Sequence, residues 1–174
     1  MPSLPATVRR SAFAALLTAL AGTVGAAQHS PSSHDAHHAA VDARGGRVMG
    51  FDQARTIHHF RLYQDGGAID VSVKDPDDAA NREAIRGHLP HIAALFAEGR
   101  FDAPMLVHAT EVPGTAALTR LKAAVAYSYV ETPGGGRVDI VTSHPEAVAA
   151  VHRFLAFQIA DHRTGDDATA GRRP

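Results

Sequence analysis

The sequence predicts an α+β fold, in which two β-hairpin-plus-helix repeats form a four-stranded antiparallel sheet with two helices packed on one face. Three observations lead there. Two segments, "HHFRLYQDGGAIDVSVKDPDDAANREAIRGHLPHIAALFAEG" and "AVAYSYVETPGGGRVDIVTSHPEAVAAVHRFLAFQIADHRTG", share one order of signals: an alternating strand, a glycine turn, a second alternating strand and a proline-started helix. In the second strands Ile69, Val71 and Val73, and again Val138 and Ile140, keep one parity, leaving Asp70 and Asp139 on the opposite face. Ile85, Leu89, Ile92 and Phe96, and then Val148, Val151, Leu155 and Ile159, recur at helical spacing. One-sided strands and one-sided helices bury their apolar faces only against each other.

In chain order, Arg9-Arg10, the apolar run Ser11 to Val24 and the small residues Gly25-Ala26-Ala27 read as a cleavable export signal over residues 1–27. General secretion fits the arginine pair better than twin-arginine export, because Phe13 stands one residue late for the latter. The run is too short for a stable span, no later run reaches about 18 apolar residues, and no cysteine offers a lipid anchor. A periplasmic or secreted protein without a stable membrane anchor is expected. Residues 28–47, "QHSPSSHDAHHAAVDARGGR", lack large apolar groups, which predicts a disordered His-containing linker. A single domain then covers 48–166, with a disordered tail at 167–174.

Within the domain, Gly66-Gly67 and Gly134-Gly135-Gly136 are assigned to hairpin turns that need positive φ. Asp75-Pro76 and His144-Pro145 put proline at or near the first helical position, where a missing N–H costs little. Between the repeats, an extended piece is expected at Met105–His108 and a short helix at Thr115–Lys122. Pro90 lies inside the first long helix and removes one backbone hydrogen bond, which predicts a kink or restart.

Composition narrows the chemistry. The formal net charge is −1, and Lys and Arg form no run beyond pairs, so nucleic-acid binding has no electrostatic footing. With no cysteine, disulfides, thiolate metal sites, cysteine catalysis and covalent haem attachment are all excluded. No Gly-x-Ser-x-Gly elbow, phosphate-binding Gly-x-x-x-x-Gly-Lys-Ser/Thr loop or His-Glu-x-x-His helix occurs. The 12 histidines outnumber Phe and Tyr together. Neutral imidazole suits Cu²⁺ and Zn²⁺, and each buried ring needs partners for its nitrogens.

The metal set expected is His59, His88, His91 and His108, with His152 in reserve. His88 and His91 stand i, i+3, about 4.5 Å apart along a helix axis. His58 and His59 point to opposite strand faces, with His58 toward the helices and His59 on the more polar face with Arg61 and Tyr63. The second repeat places Phe154 and Phe157 where His88 and His91 stand, which predicts interior positions for both histidines. On their helix His152 and His162 are about 15 Å apart and cannot share an ion. The tail histidines His29, His34, His37 and His38 are expected to scavenge metal only weakly, being unorganised, and His144 reads as a helix cap.

The stretches "VMGFDQARTIHHF", "IRGHLPHIAALFAEGRFDAP" and "VHRFLAFQIADHRTGD" resemble those of a family of small exported uncharacterised bacterial proteins, over roughly residues 47–166. Members are sometimes labelled aspartate carbamoyltransferase. That enzyme is a larger two-domain cytoplasmic protein whose Ser-Thr-Arg-Thr loop has no counterpart here. The resemblance implies one exported domain and transfers no catalytic residue. The sequence thus points to a binding protein for a copper or zinc ion that is released around pH 5–6. A b-type haem or small-ligand binder, a small metal-dependent enzyme, and a domain that forms homodimers through its sheet are the other readings.

Overall fold

The computed structural model describes residues 33–174. The export-signal reading of residues 1–27 and the start of the linker lie outside the described residues. Four strands, β1 (Thr56–Tyr63), β2 (Gly66–Val73), β3 (Ala126–Thr132) and β4 (Gly135–Val141), form one antiparallel sheet in the order β1-β2-β4-β3. The helices are α1 (Ser33–Met49), α2 (Ala79–Ala97), α3 (Asp102–His108), α4 (Thr115–Arg120) and α5 (Pro145–His162).

The register confirms the parities read from the sequence. Phe60, Ile69, Val138 and Tyr129 form a row across all four strands on the core face. The long helices cover this face in exchanged fashion: α5 lies on β1 and β2, while α2, which follows that first hairpin, lies chiefly on β4 and β3. Val151, Phe154 and Leu155 from α5 and Ile85, Leu89 and Phe96 from α2 are buried. Each such side chain contributes about 1.5–3 kcal/mol relative to exposure.

The hairpin glycines play another part than the one expected. The two-residue turns are Gln64-Asp65 and Pro133-Gly134, and of the glycines assigned to the turns Gly66 alone has a positive φ, +131°. Gly67 sits in the core-face row between Leu62 and Ile140, where a Cβ would run into Leu155. Gly136 holds the corresponding place beneath Leu89 and Tyr129. These positions need glycine so that the helices approach the sheet closely.

Further expectations are corrected. Pro76 precedes α2, which begins at Ala79 behind an Asp78 cap accepting from the Asn81 N–H, whereas Pro145 does open α5. The α2 helix runs across Pro90 without restarting. Met105–His108 is helical rather than extended, because Pro104, Val107 and His108 face inward at spacings of three and four.

Residues 33–47 are not a disordered linker. They form most of α1, which packs on α3 and α5 with Val41 1% exposed. Its low apolar content is offset by polar anchors: Arg44 Nε donates to the Val107 carbonyl at 2.6 Å, and two histidines bond to α5.

The C-terminal tail is also ordered. Gly171 pairs in parallel with Tyr63, its N–H donating to the Leu62 carbonyl at 3.0 Å. Arg173 ion-pairs with Asp139 at 2.6 Å and with Asp65 at 3.2 Å, and its guanidinium lies 4.5 Å from the Tyr63 ring centre. The Gly171 pairing occupies the Leu62 and Tyr63 end of the outer edge of β1, which otherwise presents unpaired backbone groups. No helix among the described residues is long and apolar enough to cross a membrane.

Candidate metal centre

The five histidines named from the sequence are dispersed. His59 turns to the outer sheet face, where Nδ1 lies 2.7 Å from Asp166 Oδ1, while Asp166 Oδ2 accepts the Phe60 N–H at 2.9 Å. His91 is exposed on α2, contrary to the Phe-equivalence argument, because α2 and α5 pack on different strands and their matching positions do not share an environment. His88 is half-buried against Phe51, with Nε2 buried and unpartnered. Burial, then the neighbouring His91, pushes its imidazole below the usual value. Nε2 of His152 donates to the Tyr63 carbonyl at 2.8 Å, a structural link between α5 and the first turn.

Of the five, only His108 belongs to a cluster of histidines and acids. It is 3% exposed at the end of α3. Its Nδ1 lies 2.5 Å from Asp161 Oδ2, and its Nε2 lies 2.9 Å from Gln158 Oε1. Asp161, in the last turn of α5, reaches toward α1 with its other oxygen: Oδ1 lies 2.8 Å from His37 Nε2. The Asp161 backbone carbonyl accepts from His38 Nδ1 at 2.9 Å. His37, His38 and Asp161 can each offer one ligand atom such that all three lie within 4.8 Å of one another. Among the described residues this is the one group of three His, Asp or Glu side chains so close.

The supports of this triad match what imidazole ligation requires. A ligating histidine usually donates its other ring N–H to a carbonyl or carboxylate, which fixes the tautomer and the ring. His38 does so through Nδ1, leaving Nε2 as the lone-pair nitrogen. Burial opposes the Asp161 charge, but hydrogen bonds from His37 and His108 outweigh it and hold the carboxyl below the usual carboxylate range. The site therefore keeps an anionic oxygen ligand well into acid. His34, one turn before His38, has its ring centre 6.4 Å from the latter and lines the same open recess with Ala160 and Phe157.

Behind Asp161 lies a second group of imidazoles. His162 is in edge contact with His108, ring centres 5.0 Å apart, and parallel to His58 at 5.7 Å. The three border a partly open cavity of about 50 Å³, otherwise walled mainly by apolar side chains such as Phe51, Phe60 and Val107. Burial, then His59, lowers the His58 pKa to about 4; burial, then His58 and His108, lowers that of His162 to about 3. The cavity is far smaller than the several hundred Å³ of a cofactor-sized pocket, so its present shape does not accommodate haem.

Sequence reasoning allowed His37 and His38 only weak metal scavenging, by taking their segment as disordered, and passed over Asp161 by weighing only its neighbour His162. The i, i+3 and i, i+4 spacing of His34, His37 and His38 was the available signal. With this geometry established, a comparison with known proteins adds no relative: no family, curated protein or solved structure matches the chain.

Proposed function

We propose that this protein is an exported binding protein for a transition-metal ion, Zn²⁺ or Cu²⁺, held by His37, His38 and Asp161. The observation that carries the reading is the convergence of two imidazoles and one carboxylate from different helices within 4.8 Å, with the second carboxylate oxygen gripped by buried His108. Two nitrogens and one oxygen form a borderline ligand set that suits these ions rather than Ca²⁺ or Mg²⁺. Water, or His34 from the preceding turn, completes the coordination.

Export rests on the N-terminal sequence, and a cysteine-free ligand set resists an oxidising compartment. The open recess beside the triad leaves the ion accessible, as capture and release require. Binding would also clamp α1 to α5, replacing the His37–Asp161 hydrogen bond by metal bonds.

The test is metal uptake by untagged protein, since an affinity tag brings its own histidines. Calorimetric titration with Zn²⁺ is expected to show a site of micromolar or tighter affinity, and joint His37→Ala and His38→Ala substitution to remove one bound ion. Equal uptake by parent and double variant would exclude this centre.

A further inference from the structure

Two half-buried imidazoles behind Asp161, those of His58 and His162, have no hydrogen-bond partner among the described residues. Both border a largely apolar cavity. Gln158 is 4% exposed, and its Nε2 is buried without a partner. An orphaned buried polar group is costly, and the Gln158 amide meets the two unbonded imidazoles at one cavity.

The ring centres of His58, His108 and His162 fall near the spacing of ligands to one ion, although the ligand atoms of the three do not all lie within 4.8 Å of one another as the rings stand. Two imidazoles bound to a tetrahedral metal at about 2.0–2.1 Å have ring centres roughly 5 Å apart. The centres of His108 and His162 are 5.0 Å apart, and those of His58 and His162 are 5.7 Å apart. His58 and His162 now lie parallel within 7°, so their nitrogens do not converge without ring rotation. That rotation is about χ2, a torsion with broad wells.

His108 already has the arrangement of a carboxylate-oriented ligand, with Nδ1 on Asp161 and Nε2 directed inward. The Gln158 oxygen, 2.9 Å from that Nε2, stands where an ion would bind. We propose that His58, His108 and His162 form a second, buried centre for a transition ion of the Zn²⁺ or Cu²⁺ class, with Gln158 beside an open position for a water or small anion. Three imidazoles and one open position are also a catalytic zinc set. The amide N–H of Gln158 would then donate to the ligand in the open position, and the cavity of about 50 Å³ has room for the ion and one such small molecule.

This centre uses ligands distinct from the surface triad and meets it only at Asp161, so the two can be separated. Untagged protein is loaded with Cu²⁺, desalted, and its copper counted per chain, for the parent and for the joint His37→Ala, His38→Ala variant. The expected result is one retained ion in that variant, with pulsed electron paramagnetic resonance showing three coordinated imidazoles. Adding His58→Phe or His162→Phe should then remove the ion, with circular dichroism checking the fold. The spectroscopic count leaves the interior unaltered and decides the matter even if those substitutions unfold the chain. No ion in the double variant, or an ion bound by fewer than three imidazoles, overturns the buried centre. One ion in both parent and double variant, with three imidazoles, leaves the buried centre standing and removes the surface one.

Discussion

His108 and Asp161 are joined by a contact of 2.5 Å between Nδ1 and Oδ2, the histidine buried and the carboxylate reaching the surface at His37. Through this pair the ends of α3 and α5 fix the direction in which a carboxylate is presented to α1. A carboxylate held on one oxygen presents the other without losing much side-chain entropy on binding.

Replacing His108 by Phe should therefore weaken ion binding at His37, His38 and Asp161 by about 10–100-fold, the usual effect of removing an orienting partner. Zn²⁺ titration against a competing chelator, with the His58→Phe, His162→Phe background silencing the interior, measures it. An unchanged affinity would show that Asp161 needs no support.

Metal-free protein should lose stability in acid. The folded-state pKa of His58 is about 4 and that of His162 about 3, below an unfolded value near 6.5. The fold thus favours the neutral rings. Their contribution is fully present above about pH 6.5 and is lost as pH falls from there through the folded values, because the unfolded chain binds the protons first. The depressed carboxyls of Asp161 and Asp166 act with the same sign below about pH 4. Melting temperature measured from pH 8 to 4 in chelator should fall below pH 6.5, and fall less in His58→Phe. A flat profile across pH 6.5–4.5 would contradict burial of these rings.

Asp166→Ala should destabilise the domain by about 1–3 kcal/mol, since it strips the Phe60 N–H and His59 of their shared acceptor at the edge of β1. Urea denaturation gives the value. Asn at this position should recover part of the loss by accepting from the Phe60 N–H.

Two glycines should respond in opposite directions. Gly67→Ala places a methyl against Leu155 and 2.5 Å from the Arg61 carbonyl, which should cost about 1–3 kcal/mol or more. Gly87→Ala, at an exposed position of α2 and with nothing within 4 Å of the new Cβ, should stabilise by about 0.5–1 kcal/mol. Paired urea melts read both signs directly.

Strand parity and helix periodicity were legible because both follow from local geometry, two and 3.6 residues per repeat, and both are imposed by a single apolar face. Phe60, Ile69, Val138, Leu89 and Leu155 are buried as those periods require. Compositional rules served less well at the ends. α1 and the tail are poor in apolar residues, and their order comes from Arg44, His37, His38 and Arg173 finding partners about 30 to more than 120 positions away in the chain.

The abundance of histidines was legible in the sequence, but not which of them meet. The histidine excess and the missing cysteine led to the expectation of imidazole ligation, and of the five histidines named His108 alone lies in the cluster with Asp161. That His59 and His152 would be taken up by Asp166 and a backbone carbonyl depends on contacts spanning more than 80 residues.

By itself, then, the sequence determined the α+β class and the faces of the strands and helices, because each is a property of neighbouring residues, and its composition supplied the abundance of histidines. The tertiary structure decided which histidines meet. It folded α1 back onto the end of α5, laid each long helix on the other hairpin, and so made Asp161 the meeting point of the surface and buried imidazoles. Only packing between distant segments can bring such side chains as His37, His38 and Asp161 within 4.8 Å of one another.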